Sequence, residues 1–484
     1  MVFSSLLFLI LFFVAFLICY FPLGGLIGKI LPGKKSGSEV AVRNAILLFF
    51  SLFFYSWGEP RCVFLMLISS LVDYLDGILM EKFDNRPGIR RLFLILSLVI
   101  NFSILGIMKY ADFFVGTVNL IPGVSIPLPG IALPIGISFY TFQTSSYSVD
   151  VYLRKVKAER NYFRYLTYIS MFSQLIAGPI VRYSLVSEEL QNRTVNMNQF
   201  SKGFYRFLIG LFRKVLIANQ LGVMWDTLRM TEGLSALGAW FGMLCFTLQL
   251  YYDFSAYSDM AIGLGLMMGF HFDENFRYPL SALSLTDFWR RWHISLSGWF
   301  RDYLYIPLGG NRKGKAKELR NLFIVWFLTG LWHGASWNFV LWGLYHGLFL
   351  VLEKFVFGKF LEKLPKVFRH LYTLIVVVFG FGLFYFDKLS EFGTYLTYAF
   401  KLAGNAFAGP EIFWAIGNNL PVLCIAVVFM YPVFPKMPEF YHTLGEKKKD
   451  VLYVVGGIAA AGLLLLCIAN LVGDSFNPFL YFRF

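Results

Sequence analysis

Two histidines stand out because of where the sequence places them. Residues 288–349 read FWRRWHISLSGWFRDYLYIPLGGNRKGKAKELRNLFIVWFLTGLWHGASWNFVLWGLYHGLF. His293 falls in a tryptophan-rich amphipathic segment, and His333 falls in an apolar run, with a strongly basic patch between them. Residues 321–352 carry no formal charge. Imidazole changes charge near neutral pH, so it can accept and return a proton where most side chains cannot. An ionisable group inside a bilayer is costly, and it marks a function or a buried partner. The chemistry on offer is therefore general-base catalysis by a neutral imidazole held out of water, since burial disfavours the charged form.

The elements that must hold these groups can be read from the flanks. Arg320 is the last charge before the apolar run. From Arg320 to His333 is roughly 20 Å of helix at 1.5 Å per residue, against a hydrocarbon core about 30 Å thick. His333 thus lies past the midplane. Positive residues resume at Lys354, Lys359, Lys363, Lys366 and Arg369. Both flanks are positive, so both face the cytoplasm, and residues 321–352 form an in-and-out hairpin of two helices. Gly334, Ala335 and Ser336 supply the turn, with His333 at its tip. Residues 287–305 project as one interfacial helix, capped by Ser284 or Thr286. Trp289, Leu296 and Phe300 share a face with His293 at its edge. Arg290, Arg291, Arg301 and Asp302 lie away from it. A histidine that fills an interface is the alternative for His293.

Composition sets the class. Of 484 residues, 57% are hydrophobic, 19% aromatic and only 15% charged, and the mean hydropathy is +0.61. Repeated long apolar runs describe an all-α polytopic membrane protein. The net charge of +14 sits in short loops between those runs, which fits cytoplasmic loops over anionic lipid rather than a nucleic-acid surface. It also suits an acidic donor. Five scattered cysteines show no metal-ligand spacing and read as packing residues, so no bound metal is expected. The first apolar run lacks a positive n-region, and Lys29, Lys34 and Lys35 follow it, so it reads as a transmembrane helix rather than a cleaved signal.

Taken in order, the basic loops alternate sides consistently and give about ten full crossings, with both termini outside. The segments 29–43 and 81–91 read as cytoplasmic loops. The proline- and glycine-containing segment 109–134 reads as an irregular external loop. Gln174 and Pro179 sit in an apolar context, which suits either a re-entrant segment or a kinked helix end. Asp253 and Asp259 flank a Tyr/Ser-rich patch. Their spacing of six does not align them on a helix face, which favours structural or gate-lining roles over direct chemistry. Gly309, Gly314 and Lys315 mimic a phosphate-binding loop, but Ala316 replaces the required hydroxyl residue and no strand precedes it.

Several of these segments also carry a family resemblance. WRRWH, WFRDYLYIPLGGNR and LWHGASWNFVLWG, with LPIGISFYTFQ and QLIAGPIVRY upstream, resemble the membrane-bound O-acyltransferase superfamily, and within it the alginate O-acetyltransferase (AlgI-like) branch. The resemblance implies one domain over residues 1–484, a bundle of about ten to twelve transmembrane or re-entrant helices around a funnel or tunnel. It implies that His333 is the catalytic residue and that His293 is the second, upstream polar residue. The terminal FLYFRF resembles the hexapeptide of cell-envelope acylation systems, where the tyrosine transiently accepts the acyl group. That makes residues 476–484 an extracellular relay tail with Tyr481 as acceptor. An interfacial aromatic anchor is the plainer reading of the same residues.

The expected function is transfer of an acyl group, acetyl first among candidates, from a cytoplasmic thioester to an envelope or extracellular polysaccharide. The donor would be acetyl-CoA or a phosphopantetheine acyl carrier protein. An SGNH-like extracellular transferase and the polysaccharide acceptor are the implied partners, with no nucleic acid. The implied location is the bacterial cytoplasmic membrane. D-alanyl or another short acyl group is an alternative. A multi-pass transporter is an alternative from another class, since buried histidines and broken helices occur there too.

Overall fold

In a bilayer, a chain satisfies its backbone N–H and C=O groups internally only as a helix or a closed barrel. In the computed structural model the described residues are 1–30, 35–176, 178–432, 445–473 and 479–480; they form helices and no strand. The chain is thus an all-helical polytopic membrane protein. Among the described residues nine helices are long and apolar enough to cross a membrane, from Leu7–Ile27 to Lys448–Gly473. Two further long helices, Ala236–Met267 and Lys315–His333, are not among those nine.

Two compact units are present. The first comprises Met1–Phe207, Met260–Glu274 and Gly298–Ile306. Its helices include Lys35–Gly58, Val63–Lys82 and Pro87–Val118, all with lipid-facing apolar side chains such as Phe49, Phe64 and Val99. Inside lies Ile137–Tyr152, buried at every position except Val149 and Tyr152. A helix enclosed all round needs partners for its polar groups. Part of that demand is met around Asp73, which accepts from Ser97 Oγ, Asn101 Nδ2 and Ser148 Oγ.

The second unit comprises Leu208–Asp259, Asn275–Ser297 and Pro307–Phe484. Its centre is the pair Lys315–His333 and Trp337–Leu352, with Lys366–Tyr385 packed on the second arm. Pro410–Phe429 and Glu446–Gly473 expose nearly all of their apolar side chains, as helices facing lipid must.

Three expected loops are partly helical, residues 81–91 among them, since Val63–Lys82 and Pro87–Val118 cover most of that segment. Lys35–Gly58 includes residues read as cytoplasmic loop, and Pro87–Val118 runs ten residues past Met108 before the irregular stretch begins. Charged and glycine-bearing ends extend a helix readily when the apolar body is already wound, because propagation costs far less than nucleation. Near Gln174 the backbone is broken: Tyr162–Ser170 ends, Phe172–Leu175 makes a single turn, and both Gln174 and Ile180 are buried.

Candidate active site

The expected hairpin forms with its turn at Gly334, Ala335 and Ser336. Glycine lets its arms approach backbone to backbone. A Cβ on Gly343 would lie 2.9 Å from Gly330 N and 3.0 Å from Gly330 Cα, and one on Gly347 would lie 2.9 Å from Trp326 Cβ. Small residues at a helix interface are how membrane helices gain close packing without a hydrophobic drive. The second arm is tied further by Asn338, whose Nδ2 donates to Phe386 O.

His333 is the last residue of the first arm and is only 6% exposed. Its Nδ1 lies 2.7 Å from Thr329 O, one turn back. A carbonyl oxygen only accepts, so Nδ1 carries the proton and the lone pair of the neutral ring is on Nε2. Trp332, Trp342 and Phe384 wall the ring at centroid distances of 5.0, 4.7 and 5.6 Å. The ring is thus held in one tautomer by main chain and in one orientation by aromatic edges.

His293 is presented differently from expectation. The helix expected over residues 287–305 is broken: Leu285–Arg291 ends, Trp292 is extended, and Ile294–Phe300 begins anew. His293 sits at the break with φ +45°, a left-handed conformation that costs a non-glycine residue about 1–2 kcal/mol. The segment around Asn275 holds it there. Arg277 N donates to Arg291 O, and Ile294 N donates to Asn275 O. Asn275 Oδ1 accepts from Ser295 N and Ser295 Oγ, which fixes the orientation of its amide. His293 Nδ1, 3.2 Å from the same oxygen, is therefore the donor, and Nε2 again carries the lone pair. Burial, then the neighbouring His333, pushes this imidazole well below its ordinary value, so it is neutral at physiological pH. His293 lies outside the nine spans.

The two expected histidines belong to one aromatic cluster: the Trp332 ring is 5.9 Å from His293 and 5.0 Å from His333. Tyr481 lies outside the described residues. Asp253 and Asp259 are ion-paired, with Lys214 at 2.7 Å and Arg213 at 2.5 Å.

Three contributors escaped the reading of the sequence. His346 is fully buried between Trp289, Trp342 and Tyr345, at centroid distances of 5.0, 5.1 and 5.2 Å, and neither ring nitrogen has a hydrogen-bond partner among the described residues. The rule that singled out His333, an ionisable group in an apolar run, applies to it equally. Asn275 and Glu353 had no such signal. Buried Glu353 accepts from Leu285 N at 2.5 Å, Thr286 N at 2.9 Å and Thr286 Oγ1 at 2.7 Å. With Ser284 Oγ accepting from Asp287 N at 3.0 Å, it closes the N-terminus of the short helix leading to His293, where a negative charge is favourable. Glu353→Ala strands these donors. Thermal unfolding in detergent should show a loss of roughly 2–4 kcal/mol, with reduced acyl transfer, and Glu353→Gln should fall between it and the parent.

The sequence matches the family model described as the membrane-bound O-acyltransferase (MBOAT) family over residues 153–396. A probable alginate O-acetylase AlgI of Pseudomonas putida is 37% identical over all of both chains. That of Pseudomonas aeruginosa is 40% identical over 91% of this chain and 82% of its own. A peptidoglycan O-acetyltransferase of Helicobacter pylori is 37% identical over 68% of each chain. The chain belongs to the membrane-bound O-acyltransferase family. It is an O-acyltransferase, and the transporter alternative is not favoured. The matched span contains both His293 and His333.

Proposed function

We propose that this O-acyltransferase acetylates a cell-envelope or extracellular polysaccharide, with His333 as the catalytic base. What supports the role of His333 most is the bond from Nδ1 to Thr329 O, which leaves the basic lone pair on Nε2. The acetyl group and the polysaccharide follow from the relatives, named as alginate and peptidoglycan O-acetylating enzymes.

The donor is a cytoplasmic thioester, acetyl-CoA or an acyl carrier protein. His333 Nε2 takes the proton of the accepting hydroxyl as its oxygen attacks the thioester carbonyl. Collapse of the tetrahedral intermediate expels the thiolate, which recovers the proton from the imidazolium. The products are an ester and a free thiol. His293 orients the donor or polarises its carbonyl. Tyr481 is the first acceptor, and its aryl ester is reactive enough for an SGNH-like partner outside to pass the acetyl group to a sugar hydroxyl. The protein lies in the bacterial cytoplasmic membrane with both termini outside, as the basic loops suggest.

Mass spectrometry of wall glycans and exopolysaccharide, with and without the protein, tests the assignment. Loss of polymer-bound acetyl esters is expected without it, and an unchanged ester profile overturns the reading. Tyr481→Phe keeps the bulk of the tail and removes only the acceptor oxygen, so it should abolish polymer acetylation. Full acetylation in that variant reduces the tail to an anchor.

A further inference from the structure

Phe479 and Leu480 lie against one helix of the second unit, by contacts that suit a docking site. On Ala236–Met267, Asp253 and Tyr257 are four residues apart and share a face. Asp253 is buried, with Oδ1 2.7 Å from Lys214 Nζ. Lys214, also buried, donates to Asn219 Oδ1 at 2.9 Å. It sits in the π-helical turn Arg213–Ala218, a distortion found most often at functional sites.

The other carboxylate oxygen, Oδ2, accepts from the main-chain N–H of Leu480 at 2.9 Å. One residue earlier, the Phe479 ring stacks on Tyr257 with centroids 4.4 Å apart and planes 29° from parallel. Both tail residues are buried, 7% and 8% exposed. Leu480 meets the earlier helix residue and Phe479 the later one, so these two residues run antiparallel to the helix. One further turn toward the helix start on the same face lies Gln249. It is buried, and its Oε1 has no hydrogen-bond partner among the described residues.

We propose that Tyr257, Asp253 and Gln249 form a docking track for the C-terminal segment of this chain. The track sets the register of the residues after Leu480, Tyr481 first among them. A carboxylate removed from water needs donors on both oxygens. Lys214 balances one as an ion pair and the main-chain N–H of Leu480 donates to the other. A main-chain donor fixes register, and the Phe479 ring adds selectivity for an aromatic residue at that position. These are positioning residues, since the transferred group need touch none of them. The consequence for acyl transfer rests on the Tyr481 reading, while the docking itself does not.

The test uses the full chain in lipid nanodiscs, with Cys19→Ser, Cys62→Ser and Cys424→Ser, and with the buried Cys245 and Cys467 kept, Cys245 as the internal control. Leu480→Cys retains the main-chain N–H and reports tail exposure through its rate of maleimide labelling, resolved by mass spectrometry. Slow labelling is expected. Adding Asp253→Ala should raise the rate about tenfold or more, the equilibrium factor for one hydrogen bond to a charged group, and adding Tyr257→Ala should raise it about threefold to tenfold, the factor for one aromatic pair, with Cys245 still unlabelled. Fast labelling before either change, or an unchanged rate after Tyr257→Ala, overturns the proposal. Asp253→Ala strands buried Lys214. If Cys245 labels in that variant, Tyr257→Ala, which leaves the ion pair intact, decides the matter. Tyr481→Phe separates the two ideas. Slow labelling with no acetylation supports both, whereas slow labelling with full acetylation keeps the docking and removes the relay.

Discussion

His333→Ala should lower polymer acetylation by roughly 10³-fold, within the range that a positioned general base contributes. The imidazole is held by main chain at Nδ1 and walled by Trp332, Trp342 and Phe384. No other part of the hairpin need move when it is removed, so the variant should insert and elute as the parent does. The measurement is ester content of the polymer, normalised to protein in the membrane. Parental ester levels in a well-folded His333→Ala protein would exclude this ring as the base. The same loss accompanied by aggregation would point to packing rather than proton transfer.

Gly343→Ala should also be damaging, although it adds a single methyl group. That methyl would collide with Trp326 O and lie 3.0 Å or less from the Gly330 backbone. Backbone atoms cannot swing aside as a side chain can, so the two arms must separate. Overpacking of this kind costs about 1–3 kcal/mol, and here it also displaces the turn that carries His333. We expect lower thermal stability and at least a roughly tenfold loss of transfer, since misplacement near the reacting groups is amplified in rate. Gly106→Ala is the matched control. It lies within the helix Pro87–Val118 with nothing within 4 Å of the added carbon, and it should be neutral or stabilising by up to about 1 kcal/mol. Equal behaviour of the two variants would show that the arms are not in tight contact.

The hairpin was legible because its signals are local: an apolar run, positive flanks, and Gly334 with Ser336 where a turn was needed. The broken helix at His293 was not. Residues 287–305 wind well as one helix on periodicity alone, and a histidine at φ +45° leaves no mark in composition. What breaks the helix is a segment eighteen residues earlier. Asn275 takes the Ile294 N–H through its main chain and orders His293 and Ser295 through its side chain. Glu353 was equally silent. It reads as the end of an apolar run, and only the fold brings its carboxylate to Leu285 and Thr286. A spacing of six does not align the two aspartates on one face, which favours structural or gate-lining roles for them, and the fold supplies the cationic partners, Lys214 and Arg213, that the sequence could not name.

From sequence alone came the membrane class, the helical architecture and the two histidines, together with a family resemblance that the comparisons bear out. These depend on hydropathy, charge placement and motif order, which are properties of neighbours along the chain. Tertiary structure alone decided which ring nitrogen of His293 and of His333 holds the proton, that His346 joins the aromatic cluster, and that Asp253 accepts from the main-chain N–H of Leu480. Each of those is a contact between residues far apart in sequence or a choice of hydrogen-bond partner. Such choices are settled only when helices pack and water is excluded, because only then must every buried polar atom find a partner.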